Sequence, residues 1–173
     1  MAVTTLVRNN TMGELTLRDG TPLPVSLLLA FEKGDTTLSG LLSGGKLNEP
    51  LKVTRRGKLL STMRGDRVYP TGSFSSWLTE IGDAAGTLVD FLMKRGLYAT
   101  NIGTRGAGEL YTLDLQIRFK ALQFGAKDET LLLEDVLFSG DIAEAFEGNT
   151  FALSYEVLGR VVLDGVVLAE EIT

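Results

Sequence analysis

Residues able to do chemistry are few in this chain, and their spacing sorts them quickly. Acidic neighbours occur at Asp128-Glu129, Glu134-Asp135 and Glu170-Glu171. Two carboxylates can share acid and base work on a glycosidic bond. Adjacent residues of a strand point to opposite faces, however, so such neighbours cannot flank one bond. Gly103-Thr104-Arg105-Gly106-Ala107-Gly108 is glycine-rich. Its spacing is GxxGxG, not the dinucleotide GxGxxG, and it follows a predicted helix where a phosphate loop would open one. It reads as a flexible connector. Arg64-Gly65-Asp66 matches the integrin-binding tripeptide, but three-residue matches arise often by chance and a tight polar turn suffices to account for it. Trp77, the single tryptophan, is either an exposed ligand platform or a residue packed at a sheet or subunit interface.

What is missing narrows the choice further. The chain contains 0 Cys and 0 His. Without cysteine there is no disulfide framework, thiolate nucleophile or cysteine zinc site. Without histidine the commonest general base and metal ligand is gone. Ser-His-Asp and Cys-His hydrolases and HExxH proteases are excluded. The expectation is a protein that is not an enzyme and uses no cofactor or metal.

The elements that would position any such residues are mostly strands. Leu113, Leu115, Ile117, Phe119 and Ala121 alternate with Asp114, Gln116, Arg118 and Lys120, one face apolar and one polar. The same period runs through residues 151–158, 25–32 and 71–79, and residues 130–139 read as a mostly buried strand. Asn9-Asn10, Asp19-Gly20, Gly34-Asp35 and Asp164-Gly165 are pairs that accept positive φ. Asp164-Gly165 is the sharpest, since Gly159–Leu163 and Val166–Ala169 flank it as a hairpin. One helix is expected: Thr87 is its N-cap, Asp90 completes a capping box, Lys94 and Arg95 fill the last turn, and Gly96 ends it. About nine strands and one short helix point to a mainly β fold, an antiparallel β-sandwich or barrel with a long extended loop.

The 173 residues (18.7 kDa) suit one domain, read as 1–173. The longest apolar stretch, near Leu27–Phe31, is far short of the roughly 18 residues of a membrane span. Met1–Asn10 lacks the apolar run of a signal peptide. The net charge of −5 is unevenly spread. Lys46, Lys52, Arg55, Arg56, Lys58, Arg64 and Arg67 face only Glu49 and Asp66, so residues 46–67 carry +5 and the rest of the chain −10. Residues 37–69 hold this cluster and five glycines. Leu51–Thr54 and Lys58–Thr62 can pair as a hairpin about Arg56-Gly57. A basic segment on an acidic body can bind nucleic acid or dock on an identical neighbour.

The length, the β-rich chain with one short helix, the long basic loop between two strands and the segment Pro70-Thr71-Gly72-Ser73-Phe74-Ser75-Ser76-Trp77-Leu78 together resemble the tail tube proteins of long-tailed bacteriophages, whose superfamily includes the type VI secretion tube. That resemblance implies a β-sandwich subunit that forms hexameric rings, which stack into a tube for DNA passage. It implies a virion-tail location, assembly in the host cytoplasm, and tape measure and tail terminator proteins as partners. DNA would pass through the lumen without specific binding, and no membrane is involved. By position, residues 37–69 match the family's inter-ring loop, which makes the seven basic residues the expected inter-subunit contacts. Alternatives are another tail ring component such as a tail-end adaptor or baseplate ring, a nucleic-acid-binding β domain, or a carbohydrate-binding sandwich using Trp77 and Tyr69.

Overall fold

The structure, a computed structural model, describes residues 14–30, 37–41, 48–77, 88–119, 127–139 and 150–170. Among them are eleven strands in two sheets. The strands are β1 (Glu14–Arg18), β2 (Ser26–Ala30), β3 (Thr37–Ser39), β4 (Asn48–Arg55), β5 (Lys58–Arg67), β6 (Thr71–Trp77), β7 (Leu113–Phe119), β8 (Glu129–Ser139), β9 (Thr150–Val157), β10 (Val161–Leu163) and β11 (Val166–Ala169). One helix, α1 (Leu88–Met93), is followed by a single 3-10 turn, Gly96–Tyr98. The main sheet runs β2-β1-β7-β8-β9-β6-β3, antiparallel throughout, and β10–β11 attach to β8. β2 comes within 8 Å of β6 between Cα atoms, yet no ladder joins them among the described residues. Among the described residues the sheet curls into a sandwich without closing as a barrel.

Period-two patterning builds the core. Leu113, Leu115 and Ile117 are buried on β7, Leu15 and Leu17 on β1, and Leu153, Tyr155 and Val157 on β9. Each such side chain, taken fully out of water, contributes about 1.5–3 kcal/mol. Phe74 on β6 packs edge-on against Phe138 of β8, with centroids 6.2 Å apart at 85°. α1 adds Leu88 and Phe91, and Phe91 meets Tyr98 of the 3-10 turn at 4.9 Å. Among the described residues the buried apolar side chains form one cluster.

β8 is the fork of the sheet. Leu131–Leu133 pair with β10, while Val136–Ser139 pair with β9 on the same side. Between them Asp135 takes φ 54°, and the β7 ladder shifts register between Leu113 and Leu115. A bulge of this kind bends its strand and re-aims the side chains. It is why residues 130–139 are mostly half-buried, with only Leu133 and Val136 buried, where a mostly buried strand was expected.

The helix differs from expectation at its end. It stops at Met93, and Lys94 (φ 52°) takes the left-handed position that closes it; Gly96 (φ 53°) is left-handed too, but two residues further on. The Arg95 amide donates to the Asp90 carbonyl at 2.9 Å, the six-to-one bond of a Schellman close. Lys94 and Arg95 thus lie past the last turn, while Gly96 opens the 3-10 turn. Thr87, the expected cap, lies outside the described residues.

Candidate assembly arm

The arm begins at a clamp between β3 and β6. Thr37 pairs with Ser73, Leu38 with Gly72 and Ser39 with Thr71. The Tyr155 hydroxyl crosses over Gly72 and donates to the Thr37 carbonyl at 2.7 Å. Only glycine allows this crossing, because a Cβ at residue 72 would lie 2.1 Å from that carbonyl oxygen. Burial pushes the Tyr155 phenol up to about 12. Beyond β3, Gly40 (φ 86°) turns against Pro70. The Pro70 carbonyl accepts from Val157 N–H at 2.8 Å. Both ends of the 37–69 stretch are therefore tied to the main sheet.

Between those ends, β4 and β5 form a sheet of their own. Their turn is Arg56-Gly57, with φ 53° and 75°, a two-residue type I′ connection whose twist suits a hairpin. Both strands extend beyond the ranges expected from sequence. Every described side chain from Leu51 to Met63 is exposed. Leu51 faces Met63 and Val53 faces Ser61, so one face carries an apolar strip, with Leu60 added at the register shift. Leu51, Met63 and Leu60 are 56%, 59% and 62% exposed. The other face bears Lys52 opposite Thr62.

The seven basic residues fall into distinct places. Arg55 and Lys58 face each other across the turn that Arg56 occupies, so three cations gather at the tip. Lys52 stands midway, and Arg64 lies opposite Pro50 by register. Lys46 lies outside the described residues. Arg67 sits at the root, where its guanidinium donates to the Leu158 carbonyl and lies 4.7 Å above the Tyr69 ring. Tyr69 is thereby covered rather than presented as a platform. Among the described residues, Lys52, Arg55, Arg56 and Lys58 form no ion pair. The Arg64-Gly65-Asp66 tripeptide is extended within β5, not a turn, and Gly65 lets the Glu49 carbonyl approach.

The remaining candidates are built into the fold. Asp114, Glu134 and Asp135 converge across β7 and β8. The Asp135 amide donates to Asp114 Oδ1 at 3.1 Å, and Thr104 Oγ1 donates to Asp135 Oδ1 at 2.6 Å. Burial first, with the Asp135 and Glu134 charges, holds the Asp114 carboxyl above its ordinary value. Glu134 is gripped by Arg160 at 2.6 and 2.9 Å. These acids fix the bulge, and the described residues hold no metal-type cluster. The glycine-rich segment is pinned, not flexible: Thr104 N–H donates to Thr112 O and Gly106 N–H to Gly103 O, both at 2.9 Å. Gly20 packs under Gly103 too closely for any Cβ. Asp19-Gly20 is likewise no tight turn. Buried Asp19 accepts from Val25 N–H at 2.7 Å and Thr21 Oγ1 at 2.8 Å, organising the whole β1–β2 loop.

Sequence reasoning overlooked the apolar strip, although Leu51, Val53 and Met63 share a period of two around the basic residues. No protein-family model matches the chain, and no curated protein sequence does either. Solved structures do resemble it in fold. The sheath/tube terminator of an extracellular contractile injection system (PVC, extended state) superposes with a TM-score of 0.51 at 11% identity, covering 95% of this chain and 98% of that one. The tube-terminating cap of the anti-feeding prophage gives 0.50 at 12% identity, over 95% and 94%. At such identity the likeness is one of fold. In the described part of this chain that fold carries a basic, apolar-striped arm.

Proposed function

We propose that this chain is a structural subunit of a phage-tail-like tube that assembles with copies of itself into stacked rings. The observation that carries this reading is the β4–β5 arm. A two-stranded hairpin is marginal in water on its own. This one exposes an apolar strip and a cationic tip on a chain that is −10 outside residues 46–67. Both features are costly for a solitary molecule and useful for a contact with a like neighbour. The fold likeness to a terminator and a cap of contractile tubes supports the same setting.

In this reading the rings are hexameric and enclose a lumen through which DNA passes without specific binding. Tape measure and terminator proteins are the other partners, in a virion tail assembled in the host cytoplasm. The clustered basic residues supply register and orientation between copies more than raw affinity. A second reading has its own support: the two similar structures named above are a sheath/tube terminator and a tube-terminating cap. The chain would then form one ring at a tube end and would not polymerise.

Negative-stain microscopy of the purified protein separates these readings. Stacked tubes support the tube subunit, and uniform single rings support the terminal ring. Monomers alone at high concentration would sink both.

A further inference from the structure

A second hairpin, β10–β11, presents an unusual surface. It turns at Asp164-Gly165 (φ 49° and 81°) and joins the body through β8. Val166, Val167 and Leu168 are 63%, 41% and 36% exposed, and Ala169 is the buried anchor, paired with Val161. Successive strand residues point to opposite faces, so three exposed aliphatic neighbours leave both faces of β11 open. Exposed apolar edges of this kind are ready templates for another chain. Acids bracket the strip, Asp164 at its start and Glu170 at its end. Asp164 Oδ2 lies 3.7 Å from the exposed Lys127 ammonium, and Glu170 acts on the Arg160 charge.

The β4–β5 arm is complementary on both counts. Its apolar strip of Leu51, Val53, Leu60 and Met63 is accompanied by Lys52, Arg55, Arg56 and Lys58. Neither hairpin covers the other within one molecule, since residues 51–63 and 166–168 are exposed together. We infer that the arm of one copy docks on the β10–β11 hairpin of the next copy, aliphatic strip on aliphatic strip, with the arm's cations meeting Asp164 and Glu170. This deepens the self-assembly reading and rests on it. Two different surfaces meet, so the contact is head-to-tail and propagates from copy to copy. A nucleic-acid backbone would satisfy the cations but leave both aliphatic strips bare.

The chain's 0 cysteines make cross-linking a clean test. Full-length Leu60→Cys and Val167→Cys variants are mixed, gently oxidised and run on a non-reducing gel. A disulfide needs the two Cα atoms within about 7 Å, so only a true contact is captured. The expected result is a cross-linked pair in the mixture and none in either variant alone. Val53→Cys with Leu168→Cys gives a second pair should one variant fold poorly. Asp164→Lys with Glu170→Lys abolishes the product, and adding Arg56→Glu and Lys58→Glu to the partner restores it. Tubes or rings without a mixed cross-link overturn this docking site and leave self-assembly standing. A mixed cross-link without rings or tubes upholds the site and removes the tube reading. Equal cross-linking of Leu60→Cys alone means arm-on-arm contact and overturns the inference. Absence of both assemblies and cross-links overturns both.

Discussion

Gly72→Ala tests the clamp from which the arm departs. Glycine inside a strand is ordinarily a weak choice, and alanine there usually gains about 0.5–1 kcal/mol. Here the added Cβ would stand 2.1 Å from the Thr37 carbonyl oxygen, 2.4 Å from Tyr155 Oη and 2.5 Å from its Cζ. One of those neighbours is backbone and the other a buried ring, so neither can swing aside. Overpacking of this kind costs about 1–3 kcal/mol, and losing the Tyr155–Thr37 hydrogen bond adds about 1 kcal/mol. The expected cost is about 2–4 kcal/mol, or a fall in Tm of roughly 4–16 °C for a chain of this length. Circular dichroism reads the melt, and the tyrosinate absorbance band reads the phenol. The Tyr155 phenol sits at about 12 when clamped and shifts toward its ordinary 10.0 as β3 is displaced. Because its folded-state value is raised, the neutral phenol is what the fold favours. That stability is complete below pH 10 and is lost as the pH rises from 10 to about 12. Tyr155→Phe removes the bond without the clash, so its cost should be the smaller, near 1 kcal/mol. A Gly72→Ala protein with unchanged Tm and unchanged Tyr155 titration would refute the clamp.

Ile117→Ala empties a fully buried site on β7 and should cost about 2–5 kcal/mol, whereas Leu60→Ala on the exposed arm should stay within about 0.5 kcal/mol in the monomer; denaturant titration compares them. Asp114→Asn keeps the acceptor for the Asp135 amide and removes a charge that the fold disfavours. The wild-type carboxyl binds its proton more tightly when folded, so stability falls as pH rises from 3.8 to the higher folded value. The variant should therefore melt higher at pH 7, with the gain shrinking toward acid; an equal or lower Tm at pH 7 would contradict this. Raising NaCl from about 0.1 to 1 M shortens the Debye length from roughly 10 to 3 Å, which should dissociate assemblies held partly by the arm's cations. Light scattering that ignores salt would count against that contribution.

The strands with strong alternation were legible in the sequence because one buried face writes itself as a period of two. Leu113, Leu115 and Ile117 are the clearest case. The Asp164-Gly165 and Arg56-Gly57 turns were legible too, since each places a glycine, which accepts positive φ freely, between two runs able to pair. β1 was missed although Leu15 and Leu17 alternate within it, because five residues give a short run. β3 was illegible: Thr37–Ser39 has no pattern of its own and is a strand only because Tyr155 and Gly72 hold it. The bulge at Asp135 had no local signature, and it decides how β8 divides between β9 and β10. Charge counting located the arm but could not sort its residues. Arg67 carries the same charge as Arg56, yet lies folded on Tyr69 at the root while Arg56 forms the tip.

Sedimentation velocity of the wild type beside an Arg55→Glu, Arg56→Glu, Lys58→Glu variant weighs the arm most directly. The account predicts large, fast-sedimenting wild-type assemblies and a slow monomer of undiminished Tm for the variant. Identical sedimentation of the two proteins, whether both assembled or both monomeric, would contradict it.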